Sequence, residues 1–132
     1  MPIEADHAEV SALFRAFLPN DLASRFSELL SMKSSRWKQI DPWRVWEHIE
    51  TSAISEWHED VQSLLSSPRF SKHAESQVAV LRCGHEHPSI ERRSLQSALV
   101  GESALFEGFI SVLPGELGVA INHDGEICVL SR

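Results

Sequence analysis

A chain of 132 residues is long enough to bury a real hydrophobic core in one domain without covalent staples. Nineteen acidic against twelve basic side chains leave a formal charge of −7, the wrong sign for a surface that neutralises phosphates, which argues against a nucleic-acid partner. Two cysteines, Cys83 and Cys128, cannot form a disulfide framework. No apolar run approaches the roughly 20 residues that cross a bilayer, and the N-terminus lacks the basic-then-apolar pattern of a secretory leader, so the expectation is a reduced, cytoplasmic protein with no membrane contact.

Asp6 with Glu9 has capping-box spacing, and Val10, Leu13, Phe14, Phe17 and Leu18 then recur on one face of a first predicted helix. Pro19-Asn20-Asp21 breaks that helix and caps a second, in which Leu22, Phe26, Leu29 and Leu30 repeat the pattern. The two are expected to form a helical hairpin. A basic, polar connection carrying Lys33, Arg36, Trp37 and Lys38 leads to Asp41-Pro42, the start of a third helix with Trp43, Trp46 and Ile49 on its inner face. Ile54, Trp57, Val61, Leu64 and Leu65 keep nearly the same phase, so the stretch from Pro42 to Ser66 reads as two helices with a break near Ser52, or as one.

A polar connection from Ser66 to Glu75 precedes Gln77–Cys83, whose apolar run predicts a strand. Gly84 to Arg93 reads as a charged loop, and Ser94 caps a short helix reaching about Val100 before Gly101 stops it. Three further apolar runs, Leu105–Leu113, Leu117–Asn122 and Glu126–Leu130, are separated by Pro114-Gly115-Glu116 and His123-Asp124-Gly125, as in antiparallel hairpins. The expected fold is therefore α+β: N-terminal helices packed on a mainly antiparallel sheet of about four strands, ending in a C-terminal β-meander, with residues 1–132 as a single domain.

If residues of equal parity share a face through the meander, Phe109, Ser111, Leu113, Leu117, Val119, Ile121, Ile127 and Val129 point one way. Gly108, Ile110, Val112, Gly118, Ala120, Cys128 and Leu130 point the other. Neither set is polar, so helices must cover one face and further chain or a second copy the other.

Cys83, His85 and His87 alternate in Cys-Gly-His-Glu-His-Pro, so on an extended chain all three fall on one side, as ligands of a zinc ion would. No Cys-x-x-Cys or His-x-x-x-His spacing reinforces this, and the plainer reading is a strand running into a polar loop with exposed histidines. Cys83 beside His85 also has the composition of an activated thiol, although a cysteine ending an apolar strand is more simply inert. Ser35-Arg36-Trp37-Lys38 matches a Ser-x-x-Lys pattern, but the companion motifs of those acylating enzymes are absent from the sequence. Glu47-His48 and His58-Glu59-Asp60 read as solvated helix faces. Trp43 and Trp46 lie on a core stripe, whereas Trp37, off any stripe and between Arg36 and Lys38, has the composition of a partner-binding hot spot.

Leu18-Pro19-Asn20-Asp21-Leu22 with Arg25-Phe26 and Leu29 resembles part of a loose group of small bacterial proteins without assigned function. So does the later set Leu95, Ala98-Leu99, Gly108, Ile110-Ser111, Pro114-Gly115, Leu117 and Leu130. The resemblance implies a bacterial cytoplasmic α+β domain and carries over no catalytic or ligand residue. The leading expectation is a small non-enzymatic protein-interaction module: an immunity or inhibitor protein for a basic partner, or a self-associating homodimer. The alternative is a metal-binding protein or enzyme with a zinc-type site at Cys83, His85 and His87.

Overall fold

In the computed structural model, described for residues 2–24, 49, 51–82, 89–100, 107–122 and 125–131, one long helix and several short helical segments enclose a six-stranded sheet. Helix α1 spans Pro2–Phe17. It starts at Pro2 and not at Asp6: proline suits the first turn, where its missing amide would be unpaired anyway. Glu9, read as part of a cap, instead forms an ion pair with Arg92. Pro19 ends the apolar stripe as expected, and residues 20–24 are again helical.

The stretch from Pro42 to Ser66 departs from its helical reading. Residues 42–48 lie outside the described residues, and Ala53 leads directly into strand β1, Ile54–His58, and then helix α2, Val61–Ser66. Asp60 divides the two. Its extended backbone and its carboxylate, which accepts from the Ser63 amide at 2.7 Å, start α2 afresh in the middle of the supposed stripe. A single-turn helix α3, Pro68–Ser71, comes next, within the segment expected to be a polar connection.

Strand β2, Gln77–Arg82, is where the sequence places it, but Ser89–Ser94 forms strand β3 and not a loop. It pairs with β2 along its whole length, from Gln77 with Ser94 to Arg82 with Ser89. Charged side chains such as Glu91 and Arg92 suit a strand at the border of a sheet, where they discourage pairing with other chains, so charge did not mark a loop here. Ser94 then caps helix α4, Leu95–Leu99, as expected, its hydroxyl accepting from the Ser97 amide at 3.2 Å. Strands β4 (Gly108–Leu113), β5 (Leu117–Ile121) and β6 (Ile127–Ser131) are the expected meander. All pairings are antiparallel, in the order β1-β6-β5-β4-β2-β3, so the sheet has six strands where about four were expected. Among the described residues no helix is long and apolar enough to cross a membrane.

A bulge resets the faces of the sheet. Leu113 opposes Leu117, but Ser111 opposes Gly118 and Phe109 opposes Ala120, so one extra residue lies in β4 between Ser111 and Leu113. Such an insertion inverts the alternation of everything beyond it. Phe109 and Ser111 therefore join Gly118, Ala120, Cys128 and Leu130, while Ile110 and Val112 join Leu117, Val119, Ile121, Ile127 and Val129. Within β5 and β6 parity holds, because Val119 opposes Val129.

Helix α1 covers the first of these faces. Val10, Leu13, Phe14 and Phe17 pack on Ala79, Leu81, Phe109, Ala120, Cys128 and Leu130, and the rings of Phe14 and Phe109 meet edge to face with centroids 5.9 Å apart. The close approach is set by Ala79, Ser111 and Gly118, which lie side by side on β2, β4 and β5. A β-carbon at Gly118 would come within 2.7 Å of Leu13 Cδ1 and 3.0 Å of the Ile110 carbonyl oxygen. The opposite face is covered by Leu64 of α2, Phe70 of α3 and Leu95, Ala98 and Leu99 of α4, all buried. Both faces are thus covered within one chain, and neither needs a second copy for its burial.

Gly118→Ala should lower stability by about 1–3 kcal/mol, the usual cost of overpacking, as read from the midpoint of urea unfolding. Ser111→Ala should leave stability unchanged or raise it by up to about 1 kcal/mol. The Ser111 hydroxyl is buried with no hydrogen-bond partner, so its removal deletes a desolvation cost and no bond.

Candidate functional site at the β1 edge

Arg36, Trp37 and Lys38, expected to bind a partner, lie outside the described residues, as do Cys83, His85 and His87, the expected metal ligands. Among the described residues no three His, Cys, Asp or Glu side chains are grouped so that they could hold a metal ion. Cys128 is fully buried in the core under α1. Burial pushes its thiol up to about 12, with the Glu126 carboxylate adding to the rise and a backbone hydrogen bond to Ala120 opposing it. A thiol so placed is protonated at neutral pH and is not a nucleophile.

The feature that stands apart from this well-packed frame is Trp57. It is 57% exposed and is the most exposed of the large apolar side chains among the described residues. It lies on β1, one border of the sheet, opposite Cys128 of β6. Together with His58, Glu59, Gly125 and Glu126 it lines a shallow concavity of about 530 Å³. Two other concavities, one between Ala74, Ser97 and Val100 and one between Lys72, His73 and Leu113, present no aromatic side chain other than the imidazole of His73.

The walls of the Trp57 concavity are held from both strands. Gly125, with φ of 82°, makes the turn into β6, and Asn122 closes it: its amide donates to the Glu126 carboxylate at 2.9 Å and its side-chain oxygen accepts from the Glu126 amide at 3.0 Å. On β1, alternation turns Glu56 and His58 away from Trp57. The His58 imidazole, only 10% exposed, lies 3.2 Å from Glu56 Oε1 through Nε2 and 2.8 Å from Ser63 Oγ through Nδ1. Arg69 completes the row, donating to Glu56 Oε2 at 3.1 Å and to Ser55 Oγ at 3.2 Å.

Hydroxyl, imidazole and carboxylate in a row suggest acyl-transfer chemistry. Here, however, the arginine neutralises the carboxylate, and Ser63 sits in the first turn of α2 without lining the concavity. The row is better understood as a clasp that fastens the border strand to α2 and α3. The sequence reading missed Trp57 because it placed this residue on a helical core stripe. The signal that could have found it was Asp60, a capping residue three positions later, which made Ile54–His58 too short for a helix. Comparison with protein-family models, curated proteins and solved structures found no match to the chain.

The Cys128 thiol should resist iodoacetamide at pH 8 in the native protein and react after denaturation, read from the mass of its own peptide. The folded state keeps the thiol protonated to about 12, whereas its ordinary value is 9.0. Its contribution to stability is therefore complete below about 9 and declines as the pH rises toward 12. In urea unfolding the advantage of the wild type over Cys128→Ala should shrink across that window; a constant difference would exclude the linkage.

Proposed function

We propose that this protein is a small non-enzymatic interaction module that engages a protein partner of basic character at the Trp57 end of its sheet. The observation that carries this reading is the exposure of Trp57 on a border strand, beside a core in which nearly every other large apolar side chain described is covered. Tryptophan is the side chain most enriched at sites that dominate binding energy, because it offers large apolar area at little conformational cost. The formal charge of −7 supports a partner of opposite sign, since complementary fields raise association rates and favour the correct partner. An inhibitor or immunity protein acting on a basic target is the concrete form of this reading.

Three properties of the fold agree with binding rather than catalysis. The rim is built on a strand and a tight hairpin, which hold its shape before any partner arrives. The buried thiol is protonated, and the Ser63–His58–Glu56 row is tied to Arg69. Capture from the native host at low salt should recover a basic protein in stoichiometric amount, and 0.5 M salt should weaken the complex. Trp57→Ala should lower affinity about tenfold or more, the range of a hot-spot residue. Full binding by Trp57→Ala would exclude this site, and recovery of a second copy of the chain in place of a basic protein would overturn the basic-partner reading.

A further inference from the structure

We propose that the concavity between α3 and the β4–β5 hairpin receives the C-terminal residue of a partner chain, its α-carboxylate among Arg69, Lys72 and His73 and its aliphatic side chain on Leu113. The site lies on the side of the sheet covered by the short helices and does not depend on the Trp57 reading. Its lining is Arg69, Lys72, His73, Leu113, Glu116 and Leu117, around a space of about 230 Å³.

Both walls follow from local structure. Phe70 is fully buried and fixes α3 against the sheet. The chain keeps turning beyond Ser71, where the His73 amide donates to the Phe70 carbonyl at 2.9 Å. Arg69, Lys72 and His73, spaced by three and four residues along this turn, therefore come to one side. The facing wall is the hairpin turn, in which the Glu116 amide donates to the Leu113 carbonyl at 2.9 Å and Gly115 has φ of 73°. Leu113, at the turn end of the bulged strand, is 38% exposed beside buried Leu117.

Three basic side chains thus share the concavity with one acid, Glu116, which is exposed and forms no ion pair among the described residues. Lys72 likewise has no carboxylate partner among them. Arg69 uses Nη1 for Glu56 and Ser55, which leaves the edge formed by Nε and Nη2, a fork that matches a second carboxylate. The formal charge of −7 does not keep an anion away, because at physiological salt fields are screened beyond about 8 Å and the nearest groups decide.

Size and polarity select the occupant. Small-molecule ligands take clefts of roughly 300–1,000 Å³, larger than this one. A carboxylate alone would leave Leu113 and Leu117 unused, and an internal acidic residue needs a neighbour to reach them. A chain terminus carries a carboxylate and an apolar side chain on the same residue, and capture of that carboxylate is a recurring mode of peptide recognition.

The test titrates the ¹⁵N-labelled full chain with a short peptide ending in leucine, with the same peptide amidated at its C-terminus, and with inorganic phosphate. The free-acid peptide should shift the Lys72, His73 and Gly115 amides along a saturable curve that weakens with salt, and the amidated peptide should bind at least about threefold more weakly. Lys72→Gln should weaken the free acid about two- to fivefold and Glu116→Gln should tighten it about twofold, with the amidated peptide unaffected by either. Leu113→Ser should weaken both peptides about two- to fivefold.

Equal binding of the two peptides, or shifts elsewhere in the sheet and none at these amides, would overturn the inference. Phosphate binding as tightly as the free-acid peptide would overturn it too, since the site would then be a plain anion site. So would movement of the same amides with protein concentration alone, abolished by Lys72→Gln, because the occupant would then be a second copy of this chain.

Discussion

The fold depends on how closely a helix can approach a sheet. Leu13 of α1 rests against Gly118, where no side chain stands, and Ala79 and Ser111 continue the shallow floor across two more strands. Large side chains begin only beyond that floor, with Leu81, Phe109 and Leu130 gripping Phe14 and Phe17. The helix is thus seated in a trough whose sides are bulky and whose bottom is small. Close packing then extends dispersion contacts over the whole interface, which a row of leucines at the same place would have prevented.

With one face closed by a single long helix, the other is closed by short pieces, α2, α3 and α4, each contributing one to three buried side chains. Such pieces cannot be stable alone, since a helix of one or two turns gains too few hydrogen bonds to offset nucleation. They are fixed instead by local caps at Asp60 and Ser94 and by backbone bonds such as Leu95 N to Ser76 O at 3.0 Å. The clasp of Arg69, Glu56, His58 and Ser63 joins two of these pieces to β1. The outer strand that carries Trp57 is therefore tied to two of these pieces through its Glu56 and His58 side chains.

The sequence made the α+β class, the first helix, the Ser94-capped helix and the C-terminal meander legible, because each has a local signal: a stripe, a cap, or a turn rich in glycine and proline. It hid the two outer strands. Ile54 and Trp57 fit a helical stripe only because Val61 and Leu64, which belong to a separate helix, continue it in phase. Ser89–Ser94 was hidden by its charges, which an outer strand tolerates and an inner one does not. Trp57 was visible as a residue but not as a site, since its exposure depends on strand order, and strand order is a long-range property no local pattern reports. The expected sites at Arg36–Lys38 and at Cys83, His85 and His87 lie outside the described residues.

The bulge between Ser111 and Leu113 separates two tasks that a regular strand would join. The hairpin turn at Pro114-Gly115-Glu116 obeys one phase of the chain, and the core beyond the bulge obeys the other. The tolerance of β4 to change is consequently asymmetric. Replacing a residue there perturbs one contact, but deleting one anywhere between Phe109 and Leu113 leaves the strand a choice between a misfit turn and an inside-out face. In lineages descended from this chain, β4 should accumulate substitutions while keeping its length, whereas the turn beside it is free to grow or shrink.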